Sequence, residues 1–216
     1  EARRYSLLRQ LNDPVGPGPR IDLMRAYRAS DDRAAENREL ERYLTEFKSD
    51  PQSLVLLSWF AVDTIQPALA QRVRDLARSQ NFPVNPFNLS RVQAALAAQD
   101  YRAALASADA ALREENEDNP NFTSTLNGLR ALALFGLKDT SRAELLLSTF
   151  LGQARLRAAD ALLLARQLRL LGAPVQARAV LDRACLLVPL NQAALGELVR
   201  ADAEYGNPEK LAENLP

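Results

Sequence analysis

Histidine is absent from this 216-residue chain. That removes the commonest general acid–base and the commonest metal ligand. Cysteine occurs once, at Cys185, so no intrachain disulfide can form. A lone cysteine on an apolar helical face reads as a small core residue. No apolar run reaches the ~18 residues that a bilayer span needs, and no signal-peptide pattern opens the chain. Neither sign of charge is in excess, since 27 Lys plus Arg balance 27 Asp plus Glu. A nucleic-acid binder shows a basic excess or stripe, so nucleic acid is not expected as a partner. Glycine is scarce, and the sequence holds no glycine-rich phosphate loop, HExxH or GxSxG. Paired acids such as Asp31-Asp32 and Glu114-Glu115 sit in capping or loop contexts, not in the clefts that raise a catalytic carboxyl's pKa. No catalytic residue, cofactor or metal is assigned.

What is present is a helix-former's composition, 47% hydrophobic and rich in Ala and Leu. The length supports a substantial core. The chain opens at Glu1 rather than Met and closes in helical pattern at Pro216, which reads as a segment of a longer protein. Residues 1–20 read as a short N-terminal helix, with Tyr5, Leu8 and Leu11 on one face, then a linker broken by three prolines and two glycines.

From Ile21 onward the pattern is helical. Ile21–Tyr27 forms a short helix, and Ser30-Asp31-Asp32 caps a longer one bearing Leu40, Tyr43, Leu44 and Phe47. Pro51 and Pro67 open the next two helices. Further helices are expected over Leu89–Ala97, Tyr101–Leu112, Thr123–Leu137, Thr140–Leu151 and Asn191–Tyr205, with a last one beginning at Gly206-Asn207-Pro208. Between these lies Ala158–Pro189, where two apolar runs flank Gly172-Ala173-Pro174. The polar run Glu114–Asn121 reads as a solvated loop.

The helix pairs repeat. A small residue early in each second helix falls at Ala70, Ala104, Ala143 and Ala177, with Leu211 as a larger substitute, at spacings of 34, 39, 34 and 34. The long interval contains the polar run, so a five-residue insertion there restores the period. Met24, Ser58, Val92, Ala131, Ala165 and Val199 form a second column, and Tyr43, Ala77, Ala111, Phe150 and Ala184 a third. Turn breakers recur at Asp31, Asp100, Asp139, Gly172 and Gly206. A two-helix unit cannot bury both faces of both helices, so stacked units bury one another, with small residues at the contacts.

This helix–turn–helix period resembles the tetratricopeptide repeat family. The fifth unit carries the resemblance best, with Leu164, Ala165 and Leu168, then Gly172, then Ala177, Leu181 and Ala184, then Pro189. The departures are Glu36 where the family prefers alanine, Arg91 and Arg130 where it has leucine, and no Trp near any first-helix start. The resemblance implies an all-α fold, a right-handed α-solenoid of stacked antiparallel helix pairs. Five pairs and a truncated sixth would occupy residues 21–216. Another type of helix-pair solenoid is the structural alternative.

In that family the first helices line a concave face. The resemblance therefore places Arg25, Arg28, Trp59, Asp63, Gln93, Phe135, Arg166, Arg169, Arg200 and Glu204 there. Five are arginines, whose planar forks suit carboxylates; the alternative is ordinary solvated charge. Trp59 lies in a run that is apolar nearly all round, which predicts burial, and a groove-lining anchor is the alternative. The Lys and Asn with which some members grip a C-terminal carboxylate are missing, since Val55, Leu89, Gly128 and Leu162 occupy those positions. The resemblance implies a non-enzymatic scaffold that binds a protein or peptide segment. The second reading is a structural segment of a larger protein, self-associating through an open solenoid end.

Overall fold

A computed structural model describes residues 16–114, 120–152, 158–187 and 192–204. The described residues hold eleven α-helices and no strand. They are α1 (Pro17–Ala29), α2 (Arg33–Phe47), α3 (Pro51–Asp63), α4 (Pro67–Ser79), α5 (Asn85–Ala97), α6 (Tyr101–Glu114), α7 (Pro120–Gly136), α8 (Thr140–Leu151), α9 (Ala158–Leu170), α10 (Pro174–Leu187) and α11 (Gln192–Glu204). The chain divides into two compact units, Glu1–Ala98 and Gln99–Pro216. In the first, α1 packs on α2 and α3, and α3 packs on α4 and α5. In the second, α7 packs on α6, α8 and α9, and α9 packs on α10 and α11. Within a unit, a first helix touches its own second helix and the next first helix, the contact pattern of a helical repeat.

The turns show why the period holds. Asp31, Ile65, Gln99, Lys138 and Gly172 all have positive φ, between 54° and 74°. Their spacings are 34, 34, 39 and 34, so a left-handed residue closes the first helix of each pair at the repeat interval. At four of these turns the next residue's N–H reaches back five positions in a Schellman bond: Asp32 to Tyr27 O, Gln66 to Ala61 O, Asp139 to Leu134 O and Ala173 to Leu168 O, all 2.8–3.0 Å. The residue after the left-handed one then starts the second helix. Asp32, Asp100 and Asp139 accept from the backbone N–H three residues on. Where Gln66 or Ala173 replaces the aspartate, Pro67 or Pro174 takes the first helical position. Asp100 and Asp139 are thus caps, and the break itself falls on Gln99 and Lys138.

The expected columns are buried among the described residues, except Val199, which is half-buried. Ala70, Ala104, Ala143 and Ala177 are fully inaccessible, as are Met24, Ser58, Val92 and Ala131. Around them in the first unit sit Tyr43, Leu54, Leu57, Phe60, Val73 and Phe87. Each such large side chain contributes roughly 1.5–3 kcal/mol by leaving water.

Several boundaries differ from expectation. Helix α1 begins at Pro17, because proline is tolerated in a helix's first turn and Gly16 precedes it. Arg20, expected in the linker, is buried: it pairs with Glu39 at 2.8 Å and Glu46 at 2.6 Å and lies over the Phe47 ring. The residues added to the 39-residue interval were expected in the polar loop. Instead α7 has 17 residues where the other five first helices have 13. The four extra residues, Pro120 to Thr123, add about one turn at its start, which keeps its buried faces in phase. Phe122 in that turn is buried. Cys185 is half-buried rather than core, and burial together with Asp182 pushes its thiol pKa up, so it stays protonated. The expected N-terminal helix before Gly16, the Pro189 stop, and the helix from Gly206 lie outside the described residues.

Candidate functional site

The row of first-helix residues divides between the two units, and each set stands by itself. In the first unit, α3 presents one outward stripe of Gln52, Leu56, Trp59 and Asp63, spaced at four, three and four along the helix. Trp59 is 37% exposed and Leu56 45%, so the expected burial of Trp59 does not occur. Leu57 and Phe60 beside it are fully buried. The neighbours of α3 cover its other faces, and the stripe carrying Trp59 is left to solvent.

Arg25 and Asp63 meet. The Arg25 guanidinium reaches Asp63 at 2.6 Å and Asp22 at 3.4 Å, tying α1 to the end of α3. Both groups are about half exposed, so the pair contributes roughly 0–1 kcal/mol. Arg28 turns inward instead. It donates to Glu36 at 2.8 Å and to the Thr64 carbonyl at 2.8 Å. There it satisfies an orphan carbonyl at the C-terminus of α3, where a cation is favoured. Arg28 is therefore committed to the fold. Its partner Glu36 is buried and also receives Arg33 and Gln66, which gives this glutamate a structural task. Gln93 on α5 is half-buried.

In the second unit Phe135 is buried, 5% exposed, and is a core residue rather than a lining one. Helix α7 is covered nearly all round from Gly128 to Phe135. The remaining arginines converge. Arg166 donates through Nε at 3.2 Å and Nη2 at 3.0 Å to Glu197 Oε1. Arg169 donates to Oε2 at 3.1 Å and Arg200 to Oε1 at 3.3 Å. Glu197 is buried, while the side chains of Arg166 and Arg200 are 58% and 62% exposed. One carboxylate thus aligns three guanidinium groups from α9 and α11. Sequence reasoning missed Glu197. The available signal was an acid three residues before Arg200 and one repeat beyond Leu163. The Glu204 side chain lies outside the described residues.

Arg91 and Arg130 face the preceding second helix. Arg91 donates to Gln71 and Arg130 pairs with Asp109. At Gly128 a Cβ would come within 3.1 Å of Phe150, so that position is packing, not ligand contact. A groove of about 370 Å³ lies between α2 and α4, lined by Leu44, Leu76 and the Arg72–Glu41 ion pair, among others. It involves none of the expected lining residues.

No cluster of metal-ligating side chains and no helix long and apolar enough to cross a membrane occurs among the described residues. The chain matches no protein-family model and no curated protein.

Proposed function

We propose that the chain is a non-catalytic interaction scaffold of tetratricopeptide type, which holds a protein or peptide segment against its first helices. The supporting observation is the exposed stripe on α3, with Trp59 and Leu56 open to water beside the Arg25–Asp63 pair. Tryptophan and arginine are the residues most enriched among binding hot spots. Covering exposed apolar surface gains roughly 25 cal/mol per Å², and the neighbouring pair offers polar contacts that fix direction. The 34-residue recurrence of left-handed turns supports the family assignment.

Panning the whole chain against a displayed random-peptide library tests this reading. Enriched peptides should shift the emission of Trp59, the only tryptophan, to the blue. Trp59→Ala should weaken those peptides about tenfold, equivalent to ~1.4 kcal/mol. A library that yields no enriched peptide sinks the reading.

A further inference from the structure

We propose that the arginine cluster on α9 and α11 is a docking site for an acidic, amphipathic protein segment. This rests on the scaffold reading and names the chemistry of the partner for the second unit. Three guanidinium groups share the single carboxylate of Glu197, which leaves cationic forks facing outward on Arg166 and Arg200. Glu197 is buried, so it holds the forks from beneath and does not compete at the surface. A fork already aligned loses less freedom when a carboxylate arrives.

The same stripe of α9 also carries apolar surface. Leu163 and Leu170, three residues before and four after Arg166, are 44% and 80% exposed. Residues at these spacings share one helix face. A complementary segment therefore presents carboxylates flanked by apolar side chains, as an acidic amphipathic helix does. Nucleic acid would also bring anions, but the exposed residues flanking the arginines are aliphatic, without the aromatic faces on which bases stack.

The test uses the whole chain and three labelled probes: an amphipathic Leu/Glu peptide, its Glu→Gln counterpart, and oligouridylate. Fluorescence polarisation should show the Glu peptide binding at least about tenfold tighter than the Gln peptide, with affinity falling as salt rises. Arg166→Ala with Arg200→Ala should abolish that preference, while Arg42→Ala, an exposed arginine of α2 outside both stripes, leaves it within about twofold. Glu197→Gln should weaken the acidic peptide even though the site becomes more positive, because the forks lose the charge that aligns them. Circular dichroism establishes that each variant is folded, and the Glu-versus-Gln comparison on the unaltered chain needs no variant.

Equal binding of the two peptides, or acidic binding indifferent to the arginine substitutions, overturns the proposal. Tighter binding by Glu197→Gln overturns the aligning role. Tight oligouridylate binding that the same double substitution removes assigns the cluster to phosphate and also overturns it. If neutral peptides bind and acidic ones do not, the acidic site falls and the scaffold reading stands. If neither peptide binds, the acidic site falls, and the library result decides the scaffold reading separately.

Discussion

Ile65 is the residue least suited to its place. It is β-branched, 55% exposed, and held at φ 54°, where an L-residue pays roughly 1–2 kcal/mol. Glycine adopts that conformation freely but loses more chain entropy on folding. Ile65→Gly should therefore stabilise the protein by about 0.5–1 kcal/mol. At Gly172, φ is 74° and a Cβ would meet nothing within 4 Å. Gly172→Ala should cost about 1 kcal/mol through the backbone alone. Urea denaturation of both variants checks the pair, and shifts of the opposite sign would disprove the turn assignment. At this scale the sequence was only partly legible. Gly172 announces its turn, while Ile65 and Gln99 carry no turn signal and occupy the same conformation because the period places them there. The arginines were legible as charges but not as partners: Arg28 turned inward to Glu36 and Thr64, and Arg166 turned toward Glu197.

Between elements, the contact of α6 with α7 is the most demanding. A Cβ at Gly136 would sit 2.3 Å from the Tyr101 ring, closer than atoms approach. Gly136→Ala should destabilise by about 1–3 kcal/mol, as overpacking does. Tyr101→Ala in the same chain should remove most of that penalty. A double-mutant cycle from thermal or urea melts measures the coupling, and additive effects would show that the two residues do not meet. The helices themselves were readable from apolar spacing and from proline and aspartate at their starts. The start of α7 was not, because Pro120 and Asn121 fall in the run that reads as polar loop, while the buried Phe122 lies in the helix's first turn.

For the whole molecule, the sequence holds no histidine, the one side chain whose ordinary pKa lies near neutrality, and burial pushes the Cys185 thiol up. Stability should be flat between about pH 5.5 and 8 and fall in acid. The hydrogen bond from the Ser53 hydroxyl, then backbone bonds from Gln52 and Ser53, hold the Asp50 carboxyl below its ordinary pKa, and the hydrogen bond from Arg72 does the same for Glu41. A carboxyl depressed in the folded state binds fewer protons than in the unfolded chain. Its stabilisation is complete above the unfolded value of roughly 4 and is lost as pH falls through the folded one. Thermal midpoints from pH 2.5 to 8 should show this, and Asp50→Asn should flatten part of the acid slope. A slope centred on neutrality would contradict it.

The amino-acid sequence by itself determined the helices, their 34-residue recurrence and the columns that are buried. Those features are written locally, in helical spacing, in caps, and in small residues that recur at one interval. Only the tertiary structure decided that Trp59 stays exposed, that Phe135 is core, and that one buried glutamate gathers three arginines. A helix that is apolar nearly all round is buried only on the faces its neighbours reach, and a charge takes as partner whichever opposite charge the stacking brings within hydrogen-bond distance. Both depend on which elements lie side by side, which spacing along the chain does not specify.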